Sequence, residues 1–210
     1  MKVIPFIYED IDDVVANCYV IADESNNCVV VDPSVDYDGV INFIKKNNFN
    51  CQGVLLTHSH FDHMRGVDRI CNEFRVKLYV GFDDIPALTD TELNGSYMFG
   101  PEIVIKTVPD SICDKQILHL LDEDINVIYT PYHTAGSVSF YLEKSGLVFT
   151  GDSLFKMGIG RSDKPTSKPS LERDSLSKLM RLPDNTKVYP GHGRFTSIGN
   201  ERMLNPFVKR

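Results

Sequence analysis

Apolar residues in the first third of the chain recur at two different periods. Val3–Tyr8, Asn17–Ala22 and Cys28–Asp32 are apolar-rich runs of strand length, the last continuous enough to be buried. Ser25-Asn26-Asn27 supplies turn chemistry between the second and third, so those two are expected to pair as a hairpin. From Asp36 to Asn47 the spacing changes. Val40, Ile41, Phe43 and Ile44 fall at helical intervals, and polar Lys45-Lys46-Asn47-Asn48 closes the segment. Gly53–Thr57 reads as another buried strand, Met64–Phe74 as a helix and Lys77–Val80 as the next strand.

The middle is less regular. Asp84–Leu93 reads as a short helix, and Asn94 to Pro101 as a turn-rich loop that carries Tyr97 and Phe99. Such a loop either reaches the mouth of a site or packs as a plain surface connection. From Gln116 onward strands dominate: Ile117–Leu120, Asn126–Tyr129, Val138–Leu142 and Leu147–Thr150. Leu171–Leu182 is amphipathic and helical, and Lys187–Tyr189 is a last strand. Both halves run β-rich and then helical. Two sheets packed together with helices outside would accommodate that order, within one domain spanning residues 1–210.

Composition narrows the class. A net charge of -7 counts against a nucleic-acid binder, which needs a basic surface. Cys18, Cys28, Cys51, Cys71 and Cys113 are scattered, odd in number and form no C-x-x-C pair, as expected of reduced thiols in the cytoplasm. Cys18 and Cys28 fall on neighbouring strand candidates, where a contact between them is one expectation. At the N-terminus Glu9, Asp10, Asp12 and Asp13 follow too soon for a signal peptide. No apolar run approaches the roughly 18–20 residues of a membrane span.

Five of the six histidines sit in three short clusters, and Asp152 adds a carboxylate apart from them. Thr57-His58-Ser59-His60-Phe61-Asp62-His63 places four metal-ligand side chains within six residues, directly after a buried strand. In extended geometry His58 and His60 project the same way, and a chain entering a helix turns Asp62 and His63 toward a second position. His133 follows an apolar strand, Asp152 ends the Val148-Phe149-Thr150-Gly151 run, and His192 stands between Gly191 and Gly193. Neutral imidazoles and carboxylates suit divalent ions of borderline hardness, zinc first and iron or manganese as alternatives. Two such ions about 3.5–4 Å apart can share a hydroxide that attacks a carbonyl or phosphoryl centre. The carboxylate of Asp152 has two oxygens and can bridge. His119, in Ile117-Leu118-His119-Leu120-Leu121, has no ligand neighbour and is assigned to packing or the surface.

The order His-x-His-x-Asp-His, then His, Asp and His, resembles the metallo-β-lactamase fold superfamily over nearly the whole chain. Gly151-Asp152-Ser153-Leu154-Phe155 with Gly158-Ile159-Gly160-Arg161 resembles its glyoxalase II branch. So do Tyr189-Pro190-Gly191-His192-Gly193, Ile198-Gly199-Asn200-Glu201-Arg202 and Asn205-Pro206-Phe207. The resemblance implies an α/β fold, the αββα sandwich. It implies one metal on His58, His60 and His133, another on Asp62, His63 and His192, and Asp152 bridging. The chain is similar to compact members that lack the C-terminal helical domain with which glyoxalase II holds glutathione. Asp163 and Arg194 stand where that family has tyrosines, Tyr132 and Ala135 depart from the usual Gly and Pro around His133, and Arg161 replaces a glutathione-binding lysine.

The resulting expectation is a binuclear thioester hydrolase for a small molecule, glutathione-linked or not, with Asp62 and Asp152 as catalytic carboxylates. A metal-bridging hydroxide would attack the carbonyl, and Asp32 would steady the loop beneath the site. Arg161, Lys156 and Arg194 are the candidate substrate contacts, Arg161 first. A mono-iron persulfide dioxygenase, a lactonase or lactamase, and a nuclease are the rivals on the same scaffold. The last would need a basic face that this chain lacks.

Overall fold

The computed structural model describes residues 1–8 and 13–208, and in it two six-stranded mixed sheets pack together. Glu9, Asp10 and Asp12, three of the charges weighed against a signal peptide, lie outside the described residues. The first sheet runs in chain order through β1 (Lys2–Phe6), β2 (Cys18–Ala22), β3 (Asn27–Val31), β4 (Asn50–Leu55), β5 (Lys77–Gly81) and β6 (Pro109–Ile112). Strands β1 to β3 are antiparallel and β3 to β6 parallel. The parallel pairs need crossovers: α1 (Tyr37–Lys46) lies in that of β3–β4, α2 (Phe61–Met64) and α3 (Val67–Phe74) in that of β4–β5, and residues 82–108 connect β5 to β6.

The second sheet has the order β12 (Thr196–Ser197), β11 (Lys187–Pro190), β10 (Leu147–Gly151), β9 (Val138–Leu142), β8 (Ile125–Tyr129) and β7 (Ile117–Leu118). Only its β10–β11 pair is parallel, and α5 (Glu172–Leu179) lies in that crossover. A short α4 (Thr91–Asn94) and a final α6 (Ile198–Leu204) complete the helices. Among the described residues, no helix is long and apolar enough to cross a membrane.

Strand periodicity builds the layers. Tyr19, Ile21, Val29, Val31 and Leu55 pack with Val127, Phe140 and Phe149 between the sheets, while alternate Val20, Val30 and Val54 pack with Val40, Ile44 and Ile70. On the other side Tyr141, Val148 and Val188 meet Leu176, Leu179 and Ile198. Full burial of each such aliphatic chain is worth about 1.5–3 kcal/mol, so these three clusters fix the αββα stacking.

Several expectations need correction. The helix over 64–74 is two helices, because Gly66 donates to the Pro33 carbonyl at 2.7 Å and the chain turns there. The stretch 84–93 divides at Thr89 and Asp90, after a 3-10 turn that contains Pro86. Only Ile117–Leu118 of the expected 117–120 strand pairs, and α5 stops at Leu179 after a 3-10 turn over Pro169–Leu171. Strands β6 and β12 and helix α6 have no counterpart in the expected elements. Cys28 faces Cys51 across β3–β4, whereas its partner on β2 is Ala22 rather than Cys18.

Candidate metal centre

The carboxyl ends of β3, β4, β8, β10 and β11 deliver the site. Asp32 follows β3 in the left-handed conformation, φ 49°. Its Oδ1 accepts the Thr57 amide at 2.8 Å, and its Oδ2 accepts Thr57 Oγ1 at 2.7 Å and His63 Nδ1 at 2.9 Å. One buried carboxylate thus holds both ends of the 57–63 segment. His60 is extended, with φ −77° and ψ 146°, and α2 starts at the next residue. That change of conformation sends His58 and His60 one way and Asp62 and His63 another.

Three imidazole nitrogens converge first. His58 Nε2 lies 3.1 Å from His60 Nδ1, which lies 2.9 Å from His133 Nε2. The far nitrogens set the tautomers. His133 Nδ1 donates to the Arg161 carbonyl at 2.7 Å. His58 Nδ1 lies 3.1 Å from Thr57 Oγ1, whose own proton goes to Asp32. Both Nε2 lone pairs therefore point at the same spot.

The second group is mixed. His63 Nε2 is 3.5 Å from Asp62 Oδ2 and 3.4 Å from Asp152 Oδ1. His192 Nε2 is 3.1 Å from Asp62 Oδ2 and 3.5 Å from Asp152 Oδ2, and that last oxygen is 3.4 Å from His133 Nε2. Asp152 therefore touches both groups. Ligand atoms lie within 4.8 Å of one another in each of three sets: His58, His60 and His133; His58, His63 and Asp152; Asp62, His63 and His192. His63 Nε2 and Asp152 Oδ1 are buried and have no hydrogen-bond partner, a costly arrangement that a cation between them relieves. Nitrogen and carboxylate donors at these separations fit divalent ions.

Burial holds His58 well below the ordinary histidine range and His60 at about 3, with neighbouring imidazoles adding to the effect. Both rings are thus neutral at pH 7, as ligands must be. Around the acids the balance reverses. Burial opposes charge on His63 and His192, but Asp62, Asp32 and Asp152 raise the first and Asp152 and Asp62 the second. Asp152 is likewise held far down: burial opposes its ionisation, and His192 and His63 outweigh it. This half of the site attracts positive charge.

Two glycines make the convergence sterically feasible. A Cβ on Gly191 would sit 2.3 Å from Asp152 Oδ1 and 2.6 Å from His63 Cε1. Gly151, at φ +48°, brings the end of β10 against Thr57, where a Cβ would meet Oγ1 at 2.2 Å. Gly193 serves differently: its surroundings are open, and its φ of +72° turns the chain away.

Two further residues support the site through contacts that sequence spacing does not mark. Asp84 accepts the Ser59 amide at 2.9 Å, Thr134 Oγ1 at 2.8 Å and the Gly136 amide at 2.7 Å, tying the His58–His60 segment to the His133 loop. The buried Tyr132 hydroxyl donates to the Ser153 carbonyl and accepts the Gly160 amide at 3.1 Å. Their partners are remote in sequence, so no local motif marks either. His119 is exposed, paired with Asp124 at 2.8 Å, and belongs to none of the three sets.

A cavity of about 370 Å³ opens above His60, Asp62, His133, Asp152 and His192. Tyr97, Met98 and Phe99 line it, so the 94–101 loop does reach the site mouth. Phe99 stacks on Phe61 with centroids 5.3 Å apart. Arg161 also lines the cavity, but its guanidinium is paired with Asp163 at 2.5 and 2.6 Å. Lys156 and Arg194 are exposed and are not among the lining residues; Lys164, which the sequence reading passed over, is.

The family model for the metallo-beta-lactamase superfamily matches residues 11–192. A probable metallo-hydrolase of Bacillus subtilis, YqgX, is 33% identical over 92% of both chains. The hydroxyacylglutathione hydrolase GloC of Haemophilus influenzae is 30% identical over 91% of this chain and 92% of its own. Among solved structures, the B3 metallo-beta-lactamase BLEG-1 superposes with a TM-score of 0.92 at 32% identity, covering 100% of both chains.

Proposed function

The chain belongs to the metallo-beta-lactamase superfamily, and we propose that it is a binuclear hydrolase of small-molecule thioesters in the cytoplasm. The observation that carries the metal reading is the buried, unpartnered pair His63 Nε2 and Asp152 Oδ1, 3.4 Å apart between two sets of imidazoles. In this reading His58, His60 and His133 would hold one ion, Asp62, His63 and His192 the other, and Asp152 would contribute to both. Two divalent ions, zinc first and iron or manganese as alternatives, would supply Lewis-acid charge that brings the pKa of a shared water near neutrality.

The chain's own residues do the rest. Asp32 keeps the His63 Nε2 lone pair aimed inward, and the Arg161 carbonyl does the same for His133. Asp62 Oδ2 lies at the centre of the second set, placed to orient an attacking water as well as to bind. Phe61 and Phe99 shield one side of the cavity, which strengthens the field around a developing oxyanion. Thioesters are favoured by the likeness to a hydroxyacylglutathione hydrolase and by the Gly158–Arg161 segment beside His133. Free, scattered cysteines support the cytoplasmic setting.

A β-lactam hydrolase is the second reading, supported by the full-length likeness to BLEG-1. The deciding experiment is hydrolysis by metal-loaded protein of S-lactoylglutathione, other thioesters, a lactone and a β-lactam. Oxygen uptake on glutathione persulfide is followed in parallel. Turnover confined to thioesters supports the proposal. Turnover of the β-lactam or lactone alone, or oxygen consumption, replaces it.

A further inference from the structure

The cavity above the metal centre has an asymmetric lining. Besides the histidines its charged residues are Asp62, Asp152, Glu92, Arg161 and Lys164. The two aspartates face the imidazoles, and the Arg161 guanidinium is neutralised by Asp163. Glu92 is exposed on α4, next to the aromatic loop. Lys164 differs from all of these. Among the described residues no carboxylate lies within ion-pairing distance of its ammonium, which sits 5.9 Å from the centroid of Phe99.

The backbone that carries that side chain is held by the site itself. The Lys164 amide donates to Ser167 Oγ at 3.1 Å, the Ser167 amide returns to the Lys164 carbonyl at 3.0 Å, and Ser167 Oγ donates to the His133 carbonyl at 2.7 Å. The turn that carries the lysine is therefore pinned to the backbone of one candidate ligand. Phe99, on the other side, stacks on Phe61, which stands between His60 and Asp62 in the chain. Both faces of the slot are thus tied to segments that carry candidate ligands, and the lysine ammonium lies over the face of Phe99.

We infer that Lys164 is the specificity-determining residue of this cavity. It binds an anionic group, a carboxylate, of a substrate whose apolar segment lies along Phe61 and Phe99. This inference rests on the hydrolase reading above and refines its substrate class to thioesters that carry a carboxylate. Arg161, the cation expected from the sequence, is engaged by Asp163, and Lys164 takes the substrate's charge. A cavity of about 370 Å³ limits that substrate to small-molecule size.

The test compares metal-loaded wild type, Lys164→Ala and Lys164→Arg on two thioesters. S-lactoylglutathione has carboxylates on its thiol carrier, and S-lactoyl-N-acetylcysteamine has a neutral one. Binding of S-hexylglutathione, a thioether that cannot be hydrolysed, is measured by calorimetry alongside. Lys164→Ala should lower the ratio of kcat/KM for the anionic over the neutral substrate about tenfold and weaken S-hexylglutathione about tenfold, the loss expected of one charge-assisted contact. Lys164→Arg should restore both, and rising salt should erode both in wild type. An unchanged ratio and affinity in Lys164→Ala, or no S-hexylglutathione binding by wild type, overturns the inference. Lysine-dependent binding without any thioester turnover leaves the anion site standing and removes the thioesterase reading instead.

Discussion

His63 Nδ1 donates to Asp32 Oδ2 at 2.9 Å, and that bond decides which nitrogen of the ring faces the site. The same carboxylate accepts the amide and hydroxyl of Thr57, so it orients a candidate ligand and anchors the strand end beneath it. Asp32→Ala should therefore lower divalent-metal affinity roughly 10–100-fold, the range typical of carboxylates behind metal-bound histidines. Competition with a chelator measures it. Unchanged affinity in a folded variant would remove Asp32 from the account.

Gly191 gives a steric prediction. A Cβ there would overlap Asp152 Oδ1 and His63 Cε1, and the backbone has little room because Gly191 N–H is already bonded to the Gly151 carbonyl at 2.8 Å. Gly191→Ala should lose metal and hydrolysis together, whereas an alanine at Gly193 meets no neighbour and is strained only by its φ of +72°. Metal content of the two variants, measured side by side, should separate them. Equal content in both would contradict the packing argument.

Asp84 should matter for stability more than its position suggests. Its carboxylate accepts three hydrogen bonds in a fully buried setting, and burial still raises its pKa. Asp84→Ala strands three donors, at a cost of roughly 3 kcal/mol or more. Urea denaturation should show it as a lower midpoint at constant slope. A midpoint near that of wild type would contradict it.

Alkaline pH should destabilise the fold. Burial raises the thiols of Cys18 and Cys71, the latter to about 12, and the phenols of Tyr19 and Tyr132. The unfolded chain sheds these protons first, near the ordinary values of 9.0 for cysteine and 10.0 for tyrosine. Their contribution is therefore fully present below about pH 9 and is lost progressively as pH rises past it. Denaturation midpoints between pH 8 and 11 should decline, and a flat or rising profile would contradict this sign.

Much of this was readable before any coordinates. The period-two strands and the 37–46 helix follow from local pattern, and the histidine clusters stood out because their ligands share short segments at strand ends. What escaped notice depends on distant partners. Strand β12 has only Thr196 and Ser197, too short for any periodicity, and β6 is a polar Pro109-Asp110-Ser111-Ile112 run made a strand by pairing with β5. The break at Gly66 reflects the Pro33 carbonyl, and Asp84 takes its meaning from residues 59, 134 and 136. Arg161 is marked by resemblance, whereas the pairing of Arg161 with Asp163, which leaves Lys164 as the available cation, is a feature of the folded chain.

The central claim is that Asp152 joins two metal positions. Elemental analysis of purified protein, with hydrolysis assayed on the same samples, tests it most directly. The account predicts two divalent ions per chain in wild type, and one or none with hydrolysis abolished in Asp152→Ala. Full activity and undiminished metal in that variant, or a wild type that binds no divalent metal, would contradict it.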